Sequence, residues 1–322
     1  MNMVRKELRR AVAPAGWTML IYFLLLTVCS VIGILAAMLI GMVRCIITDN
    51  LEGMDGVIEQ AAQSPLGYFL AAAIGFGILL LWKKPRYIKE QIMAKGKPMK
   101  GEDFLGIFCL FFSAQLVYQI ITIVAELVLN SFGYTMTEGL QLVSAGNGGI
   151  GLFLYVGILA PVMEEILCRG LVMQTLRPFG KRLAILGTAF LFALLHGNIL
   201  QTPYAFVVGL VLGYVAMEYS ISWAILLHVI NNLVLGEIFT RLTANMDMMA
   251  ATLLLWAFLL VCAAGAVFTL IRKRASIGTW LRENPNYPLF TKAFFGNAGV
   301  ITFTVLMGIS MIAMCFILVT PL

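Results

Sequence analysis

Runs of about twenty apolar residues follow one another along almost the whole chain, and they fix what it can fold into. Runs over roughly 16–43, 65–82, 104–129, 150–173, 249–271 and 297–320 are each long enough to span a bilayer as a helix. Three shorter runs, 183–200, 202–218 and 222–239, lie close together among them. In hydrocarbon every backbone N–H and C=O needs a partner within the protein, which leaves helices and closed barrels. Continuous apolar runs without two-residue alternation read as helices. The expected fold class is therefore all-α: a multi-pass transmembrane bundle of about eight or nine helices. Composition agrees, since 61% of the 322 residues are hydrophobic and only 12% are charged. A soluble domain carries about 25% charged residues.

The net charge of +6 raises nucleic acid as a partner, and the placement of the charges argues against it. They form short basic runs between the apolar segments, as topology signals do. With the N-terminus in the cytoplasm, the inner segments hold nineteen of the 22 Lys and Arg; the outer loops keep Arg44 and Arg241, and Arg169 falls within a span. The expected location is the cell membrane, N-terminus inside. Arg5, Lys6, Arg9 and Arg10 precede a first run far longer than the apolar core of a signal peptide, so it reads as a retained span. Asp49, Glu52, Asp55 and Glu59 give an acidic first outer loop. Trp280, Tyr287, Phe290, Phe294 and Phe295, mixed with Arg282 and Lys292, suggest an interfacial anchor over 275–296. The six cysteines form no CxxC pair, mostly fall in apolar runs and read as small buried hydrophobes.

Against this background, three polar clusters within 70 residues stand out, because an ionisable group at mid-bilayer costs about 2.5–3.5 kcal/mol on insertion scales. The first is Glu164-Glu165-x-x-x-Arg169, just after Pro161. Successive helical residues differ by about 100°, so the two glutamates point apart. Glu165 and Arg169 stand at i,i+4 in the favourable order for an ion pair, which leaves Glu164 to face a cavity. Pro161 removes a backbone donor and is expected to kink or start the helix there. The second cluster is Phe192-x-x-x-His196, with Asn198 beyond it as a helix-end residue. The third is His228-x-x-x-Asn232, whose two side chains share a helix face and can donate to one oxygen; Asn231 is the alternative second donor. Each cluster alone also reads as packing or an interhelical hydrogen bond. Together they supply a base, a second acid–base group, a donor pair and a counter-ion, enough with a water for hydrolysing an amide. No G-x-S-x-G elbow and no HExxH is present.

The ordered set Glu-Glu-x-x-x-Arg, Phe-x-x-x-His and His-x-x-x-Asn resembles the CPBP family of intramembrane proteases, which includes the type II CAAX prenyl endopeptidases and bacteriocin-processing, Abi-like members. The likeness covers residues 150–239 as a catalytic core. Residues 1–149, N-terminal helices with a basic cytoplasmic loop, and 240–322, C-terminal helices with the interfacial segment, match only in being helical and apolar. The resemblance implies an endopeptidase in which Glu164 activates water, His196 shares or relays the proton, and His228 and Asn232 hold the carbonyl oxyanion. Glu165 and Arg169 support them. It implies a peptide or protein substrate at the membrane, which need not be prenylated. No cofactor is expected. Zinc on Glu164, His196 and His228 is the alternative, and it leaves Asn232 without a role.

Two other classes compete: a non-catalytic scaffold, immunity or regulatory protein of the same fold, and a proton-coupled transporter. The complete motif set speaks against the first, and the confinement of the polar residues to one three-helix region without an inverted repeat speaks against the second. Glu126 and Glu237, near the outer ends of their runs, read as interfacial or hydrogen-bonded. Counting 1.5 Å per residue places Glu164 and His228 in the cytoplasmic half, and His196 higher than both.

Overall fold

The computed structural model describes residues 2–49, 51–83, 85–137, 139–140 and 149–322. Its principal helices are α1 (Asn2–Ile47), α2 (Leu66–Trp82), α3 (Gly101–Ser113) and α4 (Gln115–Ser131). α5 is a continuous helical path built from Ile150–Leu154, Tyr155–Leu159, Ala160–Glu165, Ile166–Val172 and Met173–Leu176. There follow α6 (Lys181–Leu195), α7 (Gln201–Glu218) and α8 (Ile221–Asn231, continued by Asn232–Ile238 and Phe239–Thr243). α9 (Met248–Glu283), α10 (Pro288–Phe295) and α11 (Ala298–Leu318) complete the bundle. The described residues include one two-residue antiparallel pairing, β1 (Tyr134–Thr135) with β2 (Thr320–Pro321).

The all-α membrane bundle is as the hydropathy requires, with a different division of labour among the helices. Six described helical stretches are long and apolar enough to cross a membrane. The three shorter runs become α6, α7 and α8, the middle of the molecule. α6 has fifteen residues, ten of them buried, and packs along α7. Protein shields α6 and α7, so they need less apolar length than a lipid-facing span. Around them α1, α9 and α11 present side chains such as Ile21, Val261 and Phe316, which are 61%, 71% and 83% exposed in the isolated chain. α1 crosses α2 at Gly33 and Gly67, where any Cβ would collide with the opposing backbone. That close approach brings α2 to one flank of α1, while α11 packs on another.

The basic segments gather at one end of the bundle. There Glu218, at the end of α7 and 5% exposed, accepts Lys181 Nζ at 2.7 Å, Trp280 Nε1 at 2.9 Å and Lys97 Nζ at 2.9 Å. The 95–100 loop also donates backbone N–H groups, from Gly96 and Lys97, to the Tyr219 and Glu218 carbonyls. Arg272 and Lys273 pair with Glu102 and Asp103, so α3 and α9 join the same end. At the opposite end Glu126 accepts from the Met136 N–H at 2.9 Å and the Thr137 hydroxyl at 3.2 Å, which makes it a local capping group. The Glu237 side chain lies outside the described residues.

Candidate active site

α5 carries the two glutamates through an irregular path. π-helical turns run over Tyr155–Leu159 and Ile166–Val172, on either side of the α-helical Ala160–Glu165. Pro161 lacks the N–H that would close the ordinary bond to the preceding turn, and the irregularity expected there takes the form of the wide turn before it. A third such turn, Asn232–Ile238, continues α8 and packs against Tyr155–Leu159. Widened turns leave backbone groups to be satisfied from outside, and here Asn232 Nδ2 donates to the Val156 carbonyl at 2.9 Å.

Glu165 and Arg169 are wholly buried and joined, with Arg169 Nη1 2.9 Å from Glu165 Oε1. The guanidinium is fixed on two further sides. Its Nη2 donates to the Gly209 carbonyl at 3.1 Å, and its carbon sits 4.7 Å from the centre of the Phe192 ring. Burying an ion pair is sustainable only when such additional bonds satisfy it. Gly209 allows this closeness: a Cβ there would come 3.1 Å from Ala189 and 3.2 Å from the Phe192 ring. Glu165 Oε1 also meets His228 Nδ1 at 2.9 Å. One carboxylate oxygen thus holds both a cation and an imidazole, while Oε2 has no hydrogen-bond partner among the described residues.

Both histidines are anchored by Nδ1. His196 Nδ1 lies 3.0 Å from the Phe192 carbonyl. A carbonyl only accepts, so Nδ1 must carry the proton and Nε2 is the free nitrogen. The same reasoning applies to His228, whose Nδ1 faces the Arg-paired Glu165. Its Nε2 then points to Glu164 Oε2, 3.7 Å away, too far for a direct hydrogen bond but close enough for both atoms to bond one intervening oxygen. Glu164 keeps 21% of its side chain exposed, against 6% for His228. Phe192 is the wall between the rings: it meets His196 edge-on at 4.9 Å and His228 at 5.8 Å.

α6 covers Lys181–Leu195 and stops short of the 200 at which its apolar run ends. His196 sits directly past that end, followed by Gly197 in the left-handed region at φ 58°, and both Glu164 and His228 are within its electrostatic reach. Asn232 is committed in part to other partners. One Nδ2–H is given to Val156, and its Oδ1 accepts from Asn231 Nδ2 at 3.1 Å. Asn231 in turn accepts from the Tyr204 hydroxyl at 3.2 Å. Asn198 acts as the helix-end residue expected, its Oδ1 accepting from the Leu200 N–H at 2.9 Å. Cys168 is fully buried and a free thiol.

Among the described residues no three His, Cys, Asp or Glu side chains converge as a metal-ligand set.

Several groups of the site carry no signal in the sequence. Phe192 looks like any core aromatic until its ring is seen against Arg169 and both imidazoles. The Val156 and Gly209 carbonyls are backbone. Tyr22 comes from α1, 142 positions before Glu164, yet its phenol and that of Tyr155 lie within electrostatic reach of the Glu164 carboxylate. Tyr22 also lines an apolar cleft of about 130 Å³ between α1, α2 and α5, floored by Met163, Ile166 and Leu167.

Comparison with curated proteins gives no match, and comparison with solved structures gives none. Residues 146–234, the stretch holding all three polar clusters, match the family model described as type II CAAX prenyl endopeptidase Rce1-like. That match supports kinship with the CPBP and CAAX protease family over this segment.

Proposed function

We propose that the protein is an intramembrane endopeptidase that hydrolyses a peptide bond with a water activated by Glu164. The observation that carries this reading is the buried Arg169–Glu165–His228 chain, which fixes the His228 ring so that Nε2 and the Glu164 carboxylate address the same space. Glu164 takes a proton from the water as its oxygen attacks the carbonyl carbon. The developing oxyanion accepts from His228 Nε2–H. For this His228 must carry its second proton, and Glu165 at Nδ1 provides counter-charge for the imidazolium. Asn232 retains a second Nδ2–H for the same oxygen. His196, held by Phe192 with Nε2 free, relays the proton to the departing amine as the C–N bond breaks. Fixed donors in a water-poor site are the main source of stabilisation for such an intermediate.

We further propose that no metal takes part and that the N-terminus is cytoplasmic. The contacts of Lys97, Lys181, Arg182, Arg272 and Trp280 at one end of the bundle support that orientation.

The test is hydrolysis of a fluorogenic peptide library by full-length protein in detergent or nanodiscs. Glu164→Gln and Glu164→Ala are expected to lower the rate by about 10²–10⁴-fold, the range for losing a general base, without lowering the melting temperature. Cleavage by both variants at the parent rate defeats the hydrolase assignment. Phenanthroline is expected to leave the rate unchanged; inhibition reversed by added zinc overturns the metal-free reading.

A further inference from the structure

We propose that the inner end of α1, together with the turn into α11, is a binding site for the phosphate headgroup of an anionic membrane lipid. A cavity of about 520 Å³ opens there. Lys6, Arg9 and Arg10 line it from α1, and the turn at Gly296–Ala298 forms the opposite wall. None of the described residues that line it is acidic. Four other cations at this end of the molecule have acidic partners: Lys97 and Lys181 share Glu218, and Arg272 and Lys273 meet Glu102 and Asp103. Lys6, Arg9 and Arg10 have no carboxylate in ion-pair reach among the described residues. Three cations around one hollow repel each other, and an anion is what such an arrangement lacks.

The wall is built to hold them. Gly296 has no Cβ, and one placed there would come 2.8 Å from Arg9 Nη2, so glycine lets the guanidinium lie against the turn. Asn297 is 5% exposed. It donates to the Arg9 carbonyl at 2.7 Å and accepts from the Gly299 N–H at 2.8 Å, fastening the turn to α1. Ala298 opens the 21-residue α11, so the positive end of a long helix reaches the same wall.

Trp17 commits the site to a lipid and not to a free anion. It stands seven residues beyond Arg10 on the same face of α1, about 10 Å toward the membrane interior. It lines the cavity and is 42% exposed. An indole at that depth suits the boundary between headgroup and acyl chain.

Native mass spectrometry of the full-length protein with added phosphatidylglycerol tests this. The parent is expected to retain one phosphatidylglycerol in preference to phosphatidylcholine. Arg9→Gln with Arg10→Gln should weaken retention about 25-fold, five-fold per charge, while Arg9→Lys with Arg10→Lys keeps most of it. Lys89→Gln with Lys95→Gln removes equal charge from an exposed segment and should change little. Unchanged retention in the Arg9/Arg10 glutamine variant, or an equal loss in the Lys89/Lys95 variant, overturns the site. Displacement of the lipid by 10 mM inorganic phosphate overturns the lipid as occupant. An independent reading uses the parent protein in nanodiscs with brominated phosphatidylglycerol. Its fluorescence quenching should exceed that of Trp17→Phe, and equal quenching of the two also overturns the proposal.

Discussion

Substituting the buried ion pair one member at a time, then both together, separates what holds the fold from what holds the proposed chemistry. Arg169→Met leaves Glu165, wholly buried with one oxygen already unpartnered, facing only His228. Glu165→Gln leaves a buried guanidinium held by one carbonyl and one aromatic ring. Removing one partner of a buried pair costs about 3–5 kcal/mol, whereas replacing both by neutral groups of similar volume is often close to neutral. The expected result is a double variant more stable than either single one, with a coupling of at least about 3 kcal/mol in the cycle. The assay is reversible unfolding of full-length protein in mixed micelles, followed by circular dichroism. The same double variant should hydrolyse peptide at least about ten-fold more slowly than the parent, because His228 has lost its anionic anchor. Single-variant costs that simply add refute the reasoning about the pair. A double variant that regains both stability and full rate refutes the role given to Glu165 in orienting His228.

The packing and the charges lead to two further outcomes. Phe192→Leu removes the ring that faces Arg169 and both imidazoles while keeping an apolar side chain. It is expected to cost about 1–3 kcal/mol and to depress hydrolysis more than Leu191→Ile, a change of shape without a change of wall; equal effects on hydrolysis would make Phe192 mere filling. At the basic end, the Glu218 carboxylate beside Lys97 raises the Lys97 pKa above the ordinary lysine value. A raised lysine contributes its stability fully below the unfolded-state pKa and loses it as pH climbs through the folded-state value. Melting curves between pH 8 and 11.5 should therefore show a smaller alkaline loss for Lys97→Met than for the parent. The difference corresponds to less than about 1 kcal/mol, since the lysine is 67% exposed; identical pH profiles would deny the coupling.

The apolar runs and the spacing of charges carried the membrane bundle, because hydropathy and backbone satisfaction leave few alternatives. Helix spacing alone also paired Glu165 with Arg169 and left Glu164 free, as the structure has it. The count of spans was legible only for helices that meet lipid. α6 and α7 are enclosed by protein, and the 183–200 run stops as a helix at 195. The contact of His228 with Glu165 spans 63 positions and no periodicity announces it. The attachment of Asn232 to the Val156 carbonyl depends on two widened turns meeting, which residue identities do not encode. Tyr22, far upstream in a run of ordinary apolar character, gave no signal at all.

The widened turns of α5 and α8 also make the site sensitive to chain length in a way that side-chain replacement does not probe. Each π turn takes up one residue more than an α turn, so it advances the phase of the downstream helix by about 100°. Glu164 and Glu165 face where they do relative to Tyr155 because that extra residue is present. Removing one position from 155–159 keeps every site side chain and nearly all of the hydropathy. If the segment relaxes to an α-helix, the deletion turns α5 on one side of Pro161 against the other. Glu164 and the Val156 carbonyl cannot then both keep their partners on α8. The register between Val156 and Glu164 is thus set by a count of residues as much as by their kind.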